Sequence, residues 1–171
     1  MGFHNFSNVR YAAPPTVENR FRVPVPPVQN RSHIHDGSKG RVCPQATPGW
    51  ALHIGPRFVE DYLQGREFNG SANVSSYPYI PPVPDPRVTE DCLFLDVLVP
   101  EKILARAQNP RRPSKAPVLV WIHGGGYTTG EKGSFTGASG LMQKSMEQGE
   151  GMIIVSINYR VWSSLLETFI Y

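Results

Sequence analysis

The chain has 171 residues, 17 Lys and Arg against 14 Asp and Glu, and a mean hydropathy of −0.30. That length suits one domain with a real core, and 18% charged residues, below the usual level of roughly 25%, fits a globular chain better than a disordered one. No apolar run approaches the roughly 18 residues that span a bilayer, and a dispersed net charge of +3 does not predict nucleic-acid binding.

All 17 prolines lie at or before Pro117, so loops and short strands are expected first and regular structure in the last 54 residues. The N-terminus lacks a basic stretch followed by an apolar one, so no signal peptide is visible. N-x-[ST] sequons nevertheless begin at Asn5, Asn30, Asn69 and Asn73, candidate glycosylation sites that point outside the cell. The segment from Pro14 to Pro27 reads as extended. His33-Ile-His35-Asp36 has H-x-H spacing, but in this setting it reads as a solvated loop, and no metal site is expected. The only cysteines, Cys43 and Cys92, either pair across a long loop or stay as two free thiols. Residues 57–65 predict a short helix with Phe58, Tyr62 and Leu63 on one side and Gly65 as its C-cap. From Ser71 to Pro86 the chain returns to loop.

Three apolar runs follow: Cys92–Val99, Val118–His123 and Met152–Tyr159. Runs without alternation suit strands buried on both faces, the signature of a parallel sheet. A basic connector, Arg111-Arg112-Pro-Ser-Lys115, precedes the second run. Between the second and third, residues 138–148 predict an amphipathic helix with Leu141, Met142, Ser145 and Met146 on one face and Gly149 as cap. Strand, glycine turn, helix and strand make a βαβ unit, hence an α/β fold.

The turn reads His123-Gly124-Gly125-Gly126-Tyr127-Thr128-Thr129-Gly130. Its glycines free the backbone to present N–H groups to a phosphate or to the oxyanion of an acyl-transfer intermediate. The dinucleotide pattern G-x-G-x-x-G fails because residue 129 is Thr. The P-loop pattern fails because Glu131 stands where Lys is needed, beside the phosphates. The oxyanion reading fits the HGGG motif of esterases and lipases, against the plainer reading of a tight strand-to-helix turn.

Six blocks extend this motif in order: Arg10-Tyr-Ala-Ala-Pro-Pro, Arg20-Phe21, Cys43-Pro-Gln, Glu90-Asp-Cys-Leu-Phe-Leu-Asp-Val, Pro117 to Tyr127, and Ile157-Asn-Tyr-Arg160. With them the chain resembles the type-B carboxylesterase/lipase family of α/β-hydrolases. The resemblance implies a partial α/β-hydrolase fold: the N-terminal part of a mostly parallel sheet, over residues 1–160, plus a long disulfide-closed surface loop. It further implies that Gly125 and Gly126 supply oxyanion-hole N–H groups, that Cys43 pairs with Cys92, and that Arg20 and Glu90 form a buried ion pair. In extracellular lipases of this family the loop between the two cysteines acts as a lid. Trp50, Phe58, Tyr62, Tyr77 and Tyr79 would give that lid an apolar face, or else pack ordinarily. The family block has Asn where Asp96 stands. No metal or organic cofactor is implied; the substrate class is a small-molecule or lipid ester.

No G-x-S-x-G nucleophile elbow occurs, and the nearest decoy, Gly137-Ala-Ser139-Gly140, reads Ser139 as an N-cap or loop residue. His123 is therefore expected to be structural, not the catalytic base. Residues 161–171 depart from the family pattern. The expectation is the N-terminal part of a secreted serine carboxylic-ester hydrolase, inactive alone, with a non-catalytic binding or adhesion module or a functionless truncated product as alternatives. The 118–123 strand is expected to lie at an exposed sheet edge.

Overall fold

The computed structural model describes residues 2–28, 39–46, 49–70, 84–109 and 115–160. Four strands form its sheet: β1 (Phe3–Arg10), β2 (Phe94–Pro100), β3 (Val118–Ile122) and β4 (Ile153–Ile157), in the order β1-β2-β4-β3. The βαβ unit is present, with β3 and β4 parallel and α3 (Ala138–Glu147) between them in sequence. The sheet is mixed, however, because β2 runs antiparallel to both β1 and β4. β1 escapes the sequence reading because His4, Asn5, Ser7 and Asn8 interrupt its apolar residues. Only pairing with β2, more than 80 residues away, reveals it as a strand.

α3 covers one face of the sheet. Met142 and Met146 pack on Ile154, with Phe3, Leu98, Leu119, Phe135 and Met152 around them. Ser145 turns its hydroxyl to the Met142 carbonyl, and Leu141 is exposed. The special glycine is Gly151, not Gly149: φ is +91° there, and a Cβ would press on Pro100 and Met146. Ser139 lies inside the first turn of α3, and Gly137 is the N-cap. On the opposite face the cover is uneven among the described residues: Val99 is buried, Val97, Val155 and Ile157 are half-buried, and the β3 residues are bare. Val118, Val120 and Ile122 are 56%, 55% and 63% exposed, and β3 is a sheet edge, so burial on both faces is not realised.

Two helices differ from expectation. α1 (Gly49–Leu63) begins eight residues before the helix read from sequence and contains Pro56, which a local reading treats as a breaker. Its C-terminus is as expected: Gly65 takes φ +65°, its N–H reaches the Tyr62 carbonyl, and the Arg66 N–H reaches that of Asp61. α2 (Glu101–Ala107) starts immediately after Pro100, which ends β2 and serves as the helix N-cap. Glu101 in its first turn and Arg106 in its last complement the helix dipole, and Ile103 is buried.

Candidate active site

The glycine turn leaves the C-terminal end of β3 with a specific peptide orientation. The Gly125 carbonyl accepts from the N–H groups of Thr128 and Thr129 at 3.1 and 3.0 Å, and from their hydroxyls at 3.2 and 3.1 Å. In a trans peptide the following N–H points the opposite way, so the Gly126 N–H faces out of the turn. No described residue accepts a hydrogen bond from the N–H of Gly125 or Gly126. Gly125 has φ +134°, and a Cβ there would overlap the Thr129 carbonyl. Gly124, by contrast, has open space around it. Tyr127 also sits at positive φ, 64°, a strained conformation for a bulky residue, with its ring exposed. Two adjacent backbone donors with no partner among the described residues, at the mouth of a strand, can hold an anionic oxygen.

The ends of the turn are anchored by buried polar groups. His123 is 3% exposed, its ring stacks on Tyr159 at 4.2 Å, and Nδ1 lies 2.9 Å from the Gly124 carbonyl. A carbonyl only accepts, so Nδ1 carries the proton; Nε2 has no partner among the described residues. The Tyr159 hydroxyl donates to the His123 carbonyl at 2.6 Å. His123 is thus a structural member of the turn. Beyond the turn, Lys132 Nζ meets both oxygens of Asp96 at 2.7 and 2.6 Å, and their side chains are only 9% and 21% exposed. Asp96 also accepts from the Asn8 N–H. The Lys132 N–H donates to Oδ1 of Asn158, which is 1% exposed and donates in turn to the Arg41 and Cys92 carbonyls.

Cys43 and Cys92 form a disulfide, with Cα atoms 5.0 Å apart and a separation of 49 positions in sequence. Closing a loop of that length stabilises a chain by roughly 4 kcal/mol on the entropic account. Arg20 and Glu90 pair at 2.7 Å, but their side chains are 41% and 35% exposed, so the pair is a surface clasp rather than a buried one. The hydrogen bond from Arg20 to Glu90 raises the guanidinium pKa further above its ordinary value. Arg10 grips Asp91 and lies over the Phe94 ring at 4.3 Å. Glu131, which argued against phosphate, is paired with Arg87 at 2.9 Å. Asn5 is exposed in β1, and Asn69 is exposed beyond α1. Asn30, Asn73, His33, His35, Asp36, Tyr77, Tyr79, Arg111, Arg112 and residues 161–171 lie outside the described residues, as does the side chain of Trp50. No helix among the described residues is long and apolar enough to cross a membrane.

The profile of the carboxylesterase family matches residues 2–163, nearly the whole chain. The chain belongs to the carboxylesterase family. Carboxylesterase patB of Penicillium expansum is 39% identical over 175 residues, covering 93% of this chain and 30% of the relative. Lipase 1 of Geotrichum candidum is 29% identical, with coverage of 91% and 25%. The crystal structure of EstA from Aspergillus niger superposes with a TM-score of 0.58 at 26% identity, over 94% of this chain and 22% of that one. The fold is therefore a part of an α/β-hydrolase, and the chain spans less than a third of the length of these relatives.

Asp96, which the resemblance marks as a departure from the family block, has a partner in the structure. An uncompensated carboxylate in this position would be costly, and Lys132 supplies the opposite charge. Neither the Lys132 pairing nor the role of Thr128 and Thr129 is evident from motif spacing, because the first depends on how the chain passes β2 and the second on how the turn closes on the Gly125 carbonyl. Asn158 and Tyr159 lie in a recognised block, so their importance was visible but their contacts were not.

Proposed function

We propose that the chain is the N-terminal part of a secreted serine carboxylic-ester hydrolase, with the Gly125 and Gly126 N–H groups as its oxyanion hole. The observation that carries this is the Gly126 N–H turned outward by a Gly125 carbonyl drawn inward, beside a Gly125 N–H that likewise has no acceptor among the described residues. Attack of a serine oxygen on an ester carbonyl places negative charge on the former carbonyl oxygen. Pre-oriented N–H donors stabilise that charge without reorganising, and losing one such donor costs about 10²–10³ in rate. No G-x-S-x-G stands in the 171 residues, so this reading assigns nucleophile, acid and base to residues outside them.

The disulfide-closed loop serves as a lid in this reading. Its α1 presents Phe58, Val59, Tyr62 and Leu63 to solvent, an apolar surface suited to an ester or lipid chain. Relatives named carboxylesterase and lipase favour small-molecule or lipid esters as substrates. The disulfide and the exposed sequons at Asn5 and Asn69 favour an extracellular setting. The alternative, a non-catalytic module, is favoured by one relative, the inactive carboxylesterase-like protein VdtD of Byssochlamys spectabilis, 30% identical over 94% of this chain.

Hydrolysis of p-nitrophenyl esters and labelling by a fluorophosphonate separate these readings. The 171-residue chain is expected to show neither, and a longer product with an elbow serine both. Saturable, fluorophosphonate-sensitive turnover by the 171 residues alone would remove the assignment of the nucleophile elsewhere. A longer product with that serine replaced would favour the module.

A further inference from the structure

We propose that Gln45 is the positioning residue of the glycine turn, a role that rests on reading the turn as an oxyanion hole. Gln45 Nε2 donates to the Gly130 carbonyl at 2.7 Å, and the next residue, Ala46, donates its N–H to the Thr128 carbonyl at 3.0 Å. These bonds hold the outgoing limb of the turn at two points. Gly130, with φ +112°, lies so close to the incoming limb that a Cβ would overlap His123 Nδ1 and the Gly124 carbonyl. Fixing Gly130 therefore fixes the separation of the two limbs. Between them sit Thr128 and Thr129, whose donors draw the Gly125 carbonyl inward and turn the Gly126 N–H out.

The amide is well placed because its own segment is rigid. Two residues before it, Cys43 is bonded to Cys92; three before, Val42 bridges to Val88, exchanging hydrogen bonds with Arg87 and Thr89 at 3.0 and 2.9 Å. The foot of the disulfide-closed loop is thereby tied to the turn through one side-chain amide and the backbone N–H that follows it. The ion pairs further along the chain do not do the same work. Arg87 holds the side chain of Glu131 at the surface, and Lys132 holds a point beyond the turn. A Gln amide is needed because the Gly130 carbonyl requires a donor. Glutamate has the same shape and cannot donate when ionised.

Amide hydrogen exchange on the full chain tests this without turnover. In Gln45→Leu and the isosteric Gln45→Glu, the Thr128 and Thr129 amides should exchange at least about tenfold faster, with the Ile153–Ile157 amides of β4 unchanged. Unchanged exchange at Thr128 and Thr129 in both variants would overturn the proposal. If Gln45→Leu loosens β4 as well, Gln45→Glu decides by the same criterion. In protein that turns over p-nitrophenyl esters, both variants should lower kcat about tenfold to hundredfold at unchanged KM, as expected of a misplaced oxyanion donor. An unaltered kcat would overturn the proposal. Accelerated Thr128 and Thr129 amides together with a wild type inert in every product would retain Gln45 as the clasp and remove the ester-hydrolase reading instead.

Discussion

The two faces of the sheet are made of similar residues and meet different fates. On one, Leu98, Ile154 and Leu119 align in register beneath Met142 and Met146 of α3. On the other, Val97, Val155 and Val120 align in the same way, with Ile157 beside Ile122, and while Val97, Val155 and Ile157 are half-buried, Val120 and Ile122 at the edge are more than half exposed. A surface that merely faced water would alternate with polar residues. The unbroken apolar runs therefore belong to a sheet whose second face is meant to be covered too. Fold and stability in this chain come from the covered face; the bare face carries an association hazard.

Substitutions sharpen the contrast. The largest effect is expected at Lys132, which neutralises Asp96 on the covered face. Lys132→Met should cost about 3–5 kcal/mol by urea unfolding, and adding Asp96→Asn should restore most of it. If the double variant is no better than the single, the pair is not the reason for the loss. Met142→Ala, which opens a cavity above fully buried Ile154, should cost about 2–5 kcal/mol in the same assay.

Next comes Tyr11, whose hydroxyl donates to the Asn158 carbonyl at 2.6 Å. Tyr11→Phe should cost about 1 kcal/mol. Burial raises the Tyr11 phenol above its ordinary pKa of 10.0, with Arg160 opposing. The folded state holds that proton more tightly, so this stability is fully present below pH 10 and lost as pH rises through the elevated folded value. Unfolding titrations of Tyr11→Phe should lack that alkaline slope. The smallest effect is expected on the bare face. Val120→Thr should change stability by less than about 0.5 kcal/mol while reducing self-association by light scattering. A loss near that of Met142→Ala would mean that Val120 is covered.

Those comparisons also mark what was legible beforehand. The β3-turn-α3-β4 unit could be read because its signals are local: an apolar run, three glycines, then Met142 and Met146 at helical spacing. β1 and α2 were not, because one is defined by a distant partner and the other starts at a proline that looks only like a stop. At the turn, Gly125 and Gly126 stand out by motif as candidate oxyanion-hole donors. Their orientation depends on Thr128, Thr129 and Gln45, whose hydrogen-bonding side chains have no distinctive spacing. The Arg20–Glu90 pair was anticipated as a pair, but its exposure was not, since burial depends on what the rest of the fold lays over it.

The disulfide has a consequence for how the chain would survive proteolysis. β1 precedes Cys43 and β2 follows Cys92, and the two strands are hydrogen-bonded along the sheet. A protease cut anywhere in the intervening loop would therefore leave two fragments joined covalently by the cystine and non-covalently by the β1–β2 ladder. Such a nicked molecule would run as one band without reductant and as two with it.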